Sequence, residues 1–263
     1  MLSKLFRKAR GGASPHTAPG ERIYAIGDVH GRLDCLDDLL GRIAADQDGR
    51  GEMRTTLIFL GDYIDRGPNS RAVVERLMAL EGSGTECLFL MGNHEELLLR
   101  SAKGDRGSLS TFDRVGGRDT LLSYGVSAEM YDHCSLADLP ALIDEHVPTP
   151  HTEFLDRAAT HHVSGDYLFV HAGVRPGVEL TKQKPGDMRW IRDEFLRFRH
   201  DFGHFVVHGH TVTPEIDIQA NRIGIDLGAY ATGRLAAVGL EGADRWFLIS
   251  DVGGGDRPPA TTD

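Results

Sequence analysis

Short apolar runs alternate along the chain with segments in which apolar residues recur at helical spacing. This alternation limits the possible folds more than any other feature of the sequence. The runs are too short to cross a membrane and are typical of buried strands. Strands joined by helices favour an α/β fold. The predicted strands are 23–26, 55–60, 87–91, 167–170, 205–207, 222–225, 235–240 and 246–249.

The segments between the strands differ in character. Residues 33–45 and 71–80 carry apolar side chains at helical spacing, so we expect them to be connecting helices. Residues 101–166 contain few strand-like runs and several helical patterns, which predicts a mostly helical insertion. The predicted organisation is a flexible basic tail at 1–20, a single domain over 21–251 and a second flexible tail at 252–263.

Charge and cysteine content restrict the possible partners and the setting. The 263 residues include 29 Lys+Arg against 39 Asp+Glu, a net charge of −10, which argues against nucleic-acid binding through overall charge. The three cysteines lie far apart without a C-x-x-C pair, so we expect a reducing, cytoplasmic setting. No transmembrane segment or secretory signal is expected. Leu2, Leu5 and Phe6, beside basic residues, leave open a weak contact of the tail with a membrane surface. The sequence leaves the oligomeric state open.

Five of the predicted strands run directly into a polar cluster. Loops beyond the carboxyl ends of the strands in an open α/β sheet converge, so we expect the clusters to form one site. Their Asp, His and Asn side chains offer oxygen and nitrogen ligands suited to Mn²⁺, Zn²⁺ or Fe, and a carboxylate between two loops can bridge an ion pair. The clusters are Gly27-Asp28-Val29-His30-Gly31, Gly61-Asp62-Tyr63-Ile64-Asp65-Arg66-Gly67, Gly92-Asn93-His94-Glu95, His171-Ala172-Gly173 and His208-Gly209-His210-Thr211.

These clusters, in this order, resemble the metallophosphoesterase (calcineurin-like phosphoesterase) superfamily. Within it they are similar to the phosphoprotein phosphatase branch, in its bacterial and phage-lambda type. The resemblance covers about residues 22–250. It implies an αββα sandwich of two mixed sheets flanked by helices, and a cofactor of two divalent metal ions, predicted to be Mn²⁺ with Fe or Zn as alternatives.

The resemblance also implies a role for each matching residue. The implied metal ligands are Asp28 and His30 on one ion, Asp62 as the bridge, and Asn93, His171 and His210 on the other. The implied catalytic pair is His94 as general acid with Asp65 as its partner. The implied phosphate-binding residues are Arg66, Asn93 and Arg192. Arg192 rests only on the short segment Trp190-Ile191-Arg192, and Arg189, Arg197 and Arg199 compete with it.

The activity implied by the resemblance is serine/threonine protein phosphatase, with a phosphoprotein or phosphopeptide as substrate. The ester would be hydrolysed by direct attack of a hydroxide bridging the two ions. The alternative is a dinucleoside polyphosphate hydrolase, because bacterial diadenosine tetraphosphatases resemble the phosphatases in the same clusters. A catalytically inactive adaptor is a third interpretation, disfavoured because every ligand position is intact. Residues 101–166 and 188–199 are expected to form either a groove for protein or a pocket for a nucleotide.

Four residues in or near the clusters are interpreted as structural or supporting residues. Glu95 lies in the first turn of a predicted helix and suits the helix dipole. Asp226 follows a late strand and is expected to support the site. His208 is expected to share a strand face with His210, and Phe195 to pack in the core.

Overall fold

The computed structural model describes residues 14–253, in which ten strands form two five-stranded sheets. The strands are β1 (Glu21–Ile26), β2 (Arg54–Phe59), β3 (Glu86–Phe89), β4 (His161–Ser164), β5 (Tyr167–Val170), β6 (Phe205–His208), β7 (Asp217–Ile218), β8 (Arg222–Gly224), β9 (Ala236–Glu241) and β10 (Asp244–Ile249). The first sheet has the order β10-β9-β1-β2-β3 and the second β4-β5-β6-β8-β7. In each sheet three neighbouring strands are parallel and the other two pair antiparallel.

The α-helices of the described range connect these strands or pack on the outer faces of the sheets. They are α1 (Leu33–Arg50), α2 (Ser70–Glu81), α3 (Asn93–Ala102), α4 (Arg106–Phe112), α5 (Arg118–Ser123), α6 (Ala128–His133), α7 (Leu139–His146), α8 (Thr149–Asp156), α9 (Pro185–Trp190), α10 (Asp193–Leu196) and α11 (Ala229–Thr232). A π-helical turn (Asp113–Gly117) joins α4 to α5, and a 3₁₀ turn (Leu180–Lys182) precedes α9.

The two-residue period of the strands builds a four-layer core. Ile23 of β1 and Phe169 of β5 belong to the apolar cluster between the two sheets. Tyr24 points to the opposite face of the first sheet, into the cluster formed with α1 to α8. Leu168 does the same on the second sheet, where it packs with Phe195 of α10. The layers are therefore helix, sheet, sheet, helix, which confirms the predicted αββα sandwich.

The eight predicted strands are all present, and the structure adds β4 and β7. Strand β4 lies inside residues 101–166, which otherwise form α4 to α8. Its sequence, HHVS, is half exposed and lacks an apolar run. The strand is therefore stabilised by its antiparallel pairing with β5, which the sequence pattern does not indicate. Strand β7 has only two residues.

Residues 14–20 are anchored, although the sequence analysis places them in the flexible tail. The amide N–H of Thr17 donates to the carbonyl oxygen of Gly242 (3.1 Å), and that of Ala18 donates to Oγ of Ser164 (3.0 Å). The donors within the segment are backbone N–H groups, which every residue but proline has, so the side-chain pattern does not indicate these bonds. The remaining parts of the two predicted tails, 1–13 and 254–263, lie outside the described residues. No helix within 14–253 is both long and apolar enough to span a membrane.

We predict a large loss of stability when one buried aromatic ring of the first sheet is removed. Phe59 is fully buried and stacks on Phe89 with ring centroids 5.1 Å apart. Phe59→Ala is expected to lower the free energy of unfolding by about 3–5 kcal/mol, because a cavity replaces the ring. Met130→Ala removes a side chain that is 46% exposed and should cost less than about 1 kcal/mol. Urea unfolding of both variants tests this, and similar losses would contradict it.

Candidate metal centre

The site forms where the carboxyl ends of the six parallel strands meet. The residues following these strands are Asp28 and His30 after β1, Asp62 after β2, Asn93 and His94 after β3, His171 after β5, His210 after β6 and Asp226 after β8. Hydrogen bonds join loops of the two sheets, such as the one from the amide N–H of His210 to Oδ2 of Asp28 (2.9 Å). The five polar clusters therefore lie together, and Asp226 joins them from a sixth strand.

The backbone of the site is held in an unusual conformation. Five non-glycine residues of the described range have positive φ, between 45° and 71°. They are His30, Asp62, Asp65, Arg66 and His210. Such residues are strained, and strain of this kind concentrates at functional sites. All five are among the site residues predicted from sequence.

One group of potential ligand atoms brings together side chains from four loops. Nδ1 of His171 donates to the carbonyl oxygen of Leu60 (2.9 Å), which leaves its Nε2 as a lone-pair atom. That Nε2 lies 2.9 Å from Oδ1 of Asn93, 3.2 Å from Nδ1 of His210 and 3.4 Å from Oδ1 of Asp62. Acceptor atoms this close need a proton or a cation between them, and burial lowers the pKa of both imidazoles. A divalent cation fits this donor set.

A second group shares Asp62 with the first. Nδ1 of His30 donates to the carbonyl oxygen of Ile64 (2.8 Å), so Nε2 is again the free ligand atom, 3.5 Å from Oδ2 of Asp62. Nε2 of His94 lies 3.8 Å from the same oxygen. The ligand atoms of each group lie within 4.8 Å of one another. Asp62 is thus positioned to bridge two ions.

Asp28 lies next to Asp226, and its buried carboxylate is only partly hydrogen-bonded. Its Oδ1 is buried without a hydrogen-bond partner among the described residues. Burial, the neighbouring Asp226 and Asp62 raise the pKa of Asp28 well above its usual value. Burial also raises the pKa of Asp226 to about 6. Two buried carboxyl groups in contact favour a bound cation, because a cation would stabilise both charges.

His94 and Asp65 form the pair expected from the sequence. Nδ1 of His94 donates to Oδ2 of Asp65 (2.7 Å), and both side chains are buried. Burial alone would lower the pKa of His94, but the charges of Asp62 and Asp65 outweigh it and raise that pKa. Thr120 donates to the other oxygen of Asp65 and accepts from its amide N–H (2.9 Å). Thr120 lies in α5, so the helical segment 101–166 contributes to the site through this residue. No sequence motif indicates this role.

Glu95 is structural, for a reason other than the helix dipole. Its carboxylate accepts hydrogen bonds from the amide N–H groups of Asp62 (2.9 Å), Tyr63 (2.8 Å) and Gly92 (3.0 Å). It therefore ties the loop after β2 to the loop after β3. Burial and the charge of Asp62 raise the pKa of Glu95 to about 7.

Two arginines face the site from different sides. Arg66 is half-buried, with Nη2 3.3 Å from Nε2 of His94 and its guanidinium over the ring of Tyr230 at 4.7 Å. Arg192 is exposed, and its charge helps to lower the pKa of His171 and His210. Within residues 14–253, no carboxylate or carbonyl accepts a hydrogen bond from the Arg192 side chain, so its donors are available to an anion.

The competing arginines have other partners. Arg189 forms a two-fold salt bridge with Glu96, Arg197 pairs with Asp193, and Arg199 donates to the carbonyl oxygen of Leu196. Of the four, Arg192 is the one whose charge acts on the imidazoles of the site.

His208 and Phe195 are packed away from the ligand atoms. His208 is the last residue of β6, while His210 lies beyond the strand with φ 63°, so the two do not share a strand face as expected. Nη1 of Arg222 donates to Nε2 of His208 (3.2 Å), and burial lowers the His208 pKa to about 4. Phe195 is fully buried and packs edge-to-face on that ring. The expected core role of Phe195 is confirmed.

The family follows from the extent of the sequence match. The profile of the calcineurin-like phosphoesterases matches residues 21–235, most of the chain. The chain belongs to this family. Calcineurin-like phosphoesterases use a binuclear metal centre, and the two groups around Asp62 are candidate ligands for it.

Curated relatives include bis(5′-nucleosyl)-tetraphosphatases of two kinds. The symmetrical enzyme of Acidovorax ebreus is 34% identical over 154 residues, 59% of this calcineurin-like phosphoesterase and 44% of that protein. The asymmetrical enzyme of Bacillus thuringiensis is 23% identical over 233 residues, 81% of this chain and 88% of that protein. The chain thus matches less than half the length of the Acidovorax relative.

Solved structures share the fold. One provisionally described as a diadenosine tetraphosphatase has a TM-score of 0.61 at 21% identity, covering 92% of this chain and all of that chain. A cold-active protein-tyrosine phosphatase from a Shewanella species has a TM-score of 0.53 at 18% identity, covering 89% and 83%. At these identities the structures support the architecture of the phosphoesterase alone.

The shared position of Asp62 predicts that its charge is needed for both ions. Asp62→Asn is expected to lower the bound metal from two Mn²⁺ per chain to fewer than one after equilibration and desalting, because both ligand groups lose the carboxylate that they share. Elemental analysis of the purified protein measures this. Asp156→Asn, an exposed acid on α8, is the matched control and should keep both ions.

The same measurement of bound metal distinguishes the two possible roles of His94, metal ligand and general acid. His94→Ala is expected to keep two ions, because Asp28 and Asp226 supply further buried carboxylates near Asp62. Loss of one ion in His94→Ala, with retention in Asp28→Asn, would make His94 the ligand and overturn the assignment of Asp28.

The contacts of Glu95 predict a structural loss on removing its charge. Glu95→Gln is expected to lower the free energy of unfolding by about 2–4 kcal/mol, because an amide NH₂ would face backbone N–H donors. Glu81→Gln, in an exposed pair with Arg157, should cost less than about 1 kcal/mol. Urea unfolding compares them, and equal costs would rule out the anchoring role.

Proposed function

We propose that this calcineurin-like phosphoesterase hydrolyses dinucleoside polyphosphates, the alternative of the sequence analysis. The observation that carries the proposal is the 34% identity with the symmetrical bis(5′-nucleosyl)-tetraphosphatase of Acidovorax ebreus. The serine/threonine phosphatase interpretation relies on the same ligand groups, but the curated relatives support it less well. The role of each site residue, the choice of Mn²⁺ and the cytoplasmic setting stay predictions.

The charges of the site suit a polyphosphate chain. When bound, the ion pair supplies activation of water near neutral pH and stabilises charge on the phosphoryl group. The guanidinium groups of Arg66 and Arg192 offer fork-shaped donors that match phosphate oxygens. This local positive charge outweighs the net charge of −10, because charges beyond about 8 Å are screened at physiological salt.

We expect His94 to act as the general acid, a role that an alkoxide leaving group needs more than a phosphate leaving group does. Its Nδ1–H is held by Asp65, so Nε2 is the atom that can carry the transferred proton. The raised pKa of His94 favours the charged, proton-donating form. Asn93, which starts α3 one residue earlier, presents its amide beside His171 and can contribute to phosphate binding.

The proposal predicts a substrate preference. With Mn²⁺ supplied, kcat/KM for diadenosine tetraphosphate should exceed that for a phosphothreonine peptide by at least about tenfold, the discrimination available from about 1.4 kcal/mol of transition-state binding. Chromatography of the products distinguishes cleavage into two diphosphates from cleavage into a triphosphate and a monophosphate. Asp62→Asn is the blank. A preference for the peptide would return the assignment to protein phosphatase.

The leaving group predicts how much His94 matters. His94→Ala should lower kcat on a phosphoserine peptide by about 10²–10⁴, because an alkoxide leaves poorly without a proton. The loss should be smaller on diadenosine tetraphosphate, whose phosphate leaving group is already stable as an anion. Steady-state rates on both substrates measure the difference. Equal losses would remove His94 from the role of general acid.

A further inference from the structure

An exposed tryptophan is hydrogen-bonded to α3, the helix that begins at Asn93. Trp190, the last residue of α9, is 40% exposed. Its indole N–H donates to Oε2 of Glu96 at 2.7 Å, so the one polar group of the ring is already satisfied. The exposed part of the side chain is therefore apolar ring surface, which is well suited to stacking.

The carboxylate that holds the indole is itself fixed. Arg189 donates from Nε to Oε2 and from Nη2 to Oε1 of Glu96, both at 3.0 Å. The Arg189 and Glu96 side chains are only 14% and 15% exposed. This bidentate pair neutralises Glu96, so the carboxylate does not repel a phosphate chain nearby. The ring is thus preorganised, and little side-chain entropy would be lost on binding.

Two connections relate this ring to the metal centre. Glu96 follows Asn93 by three residues on α3, so their Cβ atoms lie on one helix face about 5–6 Å apart. On the other side, Trp190 precedes Arg192 by two residues, and the charge of Arg192 acts on His171 and His210. The indole is therefore tied to the helix that presents Asn93, two residues before the arginine predicted to bind phosphate.

We propose that Trp190 is a stacking platform for one base of a dinucleoside polyphosphate whose phosphate chain binds at Arg192 and the metal centre. This inference rests on the proposed function and names the part of the protein that would recognise the nucleoside. A planar base stacks on an indole whatever its hydrogen-bonding pattern, so the platform selects for nucleosides without selecting among them.

The kinetic test compares a substrate that has bases with one that lacks them. In Trp190→Ala the ratio of kcat/KM for diadenosine tetraphosphate to that for inorganic tetraphosphate should fall about tenfold, through KM of the dinucleotide, as expected for loss of one base stack. Trp190→Phe keeps a ring and should recover most of the ratio. A ratio that is unchanged in Trp190→Ala, whether or not both rates fall, would overturn the platform.

A spectroscopic test is independent of turnover. The chain has two tryptophans, and Trp246 packs against Tyr24 away from the site, so Trp246→Phe leaves Trp190 as the single reporter. Adenosine α,β-methylene diphosphate should quench the fluorescence of the Mn²⁺-loaded protein, and methylenediphosphonate, which lacks the nucleoside, should not. Equal effects of the two probes would contradict stacking.

The two proposals fail in different ways. Quenching by the adenosine probe without hydrolysis of diadenosine tetraphosphate would keep the platform and overturn the proposed substrate. Hydrolysis of diadenosine tetraphosphate with an unchanged ratio in Trp190→Ala and no specific quenching would keep the proposed function and overturn the platform.

Discussion

The structure depends on the burial of five carboxyl groups in one small region. Asp28, Asp62, Asp65, Glu95 and Asp226 are each no more than 2% exposed. Unpaired carboxylates in such a place cost several kcal/mol each, so every one needs a compensating donor or cation. Glu95 is compensated by backbone N–H groups and Asp65 by His94 and Thr120. Asp28, Asp62 and Asp226 each accept a hydrogen bond from one backbone N–H, and the charge that remains on them favours cations at this place.

The same requirement explains the local backbone. Loops that direct ligand atoms inward from two sheets cannot stay extended, so His30, Asp62 and His210 adopt positive φ. Glycines provide the remaining space: a Cβ added to Gly92 or Gly209 would overlap the carboxylate of Asp62 or Asp28, respectively. The rigid sandwich behind the loops holds this strain, because the strands that carry them are buried on both faces.

Substrate selection lies outside the ligand groups. The metal centre offers charge and activated water to any phosphate ester or anhydride, and so does not distinguish a phosphopeptide from a dinucleotide. The surrounding elements differ in character. The helical segment reaches Asp65 through Thr120, whereas the segment after β5 contributes Arg192 and the fixed ring of Trp190. A nucleoside attached to a phosphate chain would use both the charge of Arg192 and the ring surface of Trp190. The family motifs, which contain the metal ligands, carry no information about this ring.

Much of this arrangement could be predicted from the sequence alone. The eight apolar strands, the convergence of the polar clusters and the family all follow from short motifs, because strand ends and ligand types have strong local signatures. The contact of Asp226 with Asp28, the tie from Glu95 to two loops and the hydrogen bonds of Thr120 were decided only by tertiary structure. These contacts join residues far apart in the chain, and their energies come from burial and distance, which no local pattern records. The same holds for Trp190, since only the fold shows that its indole N–H is satisfied while its ring stays exposed.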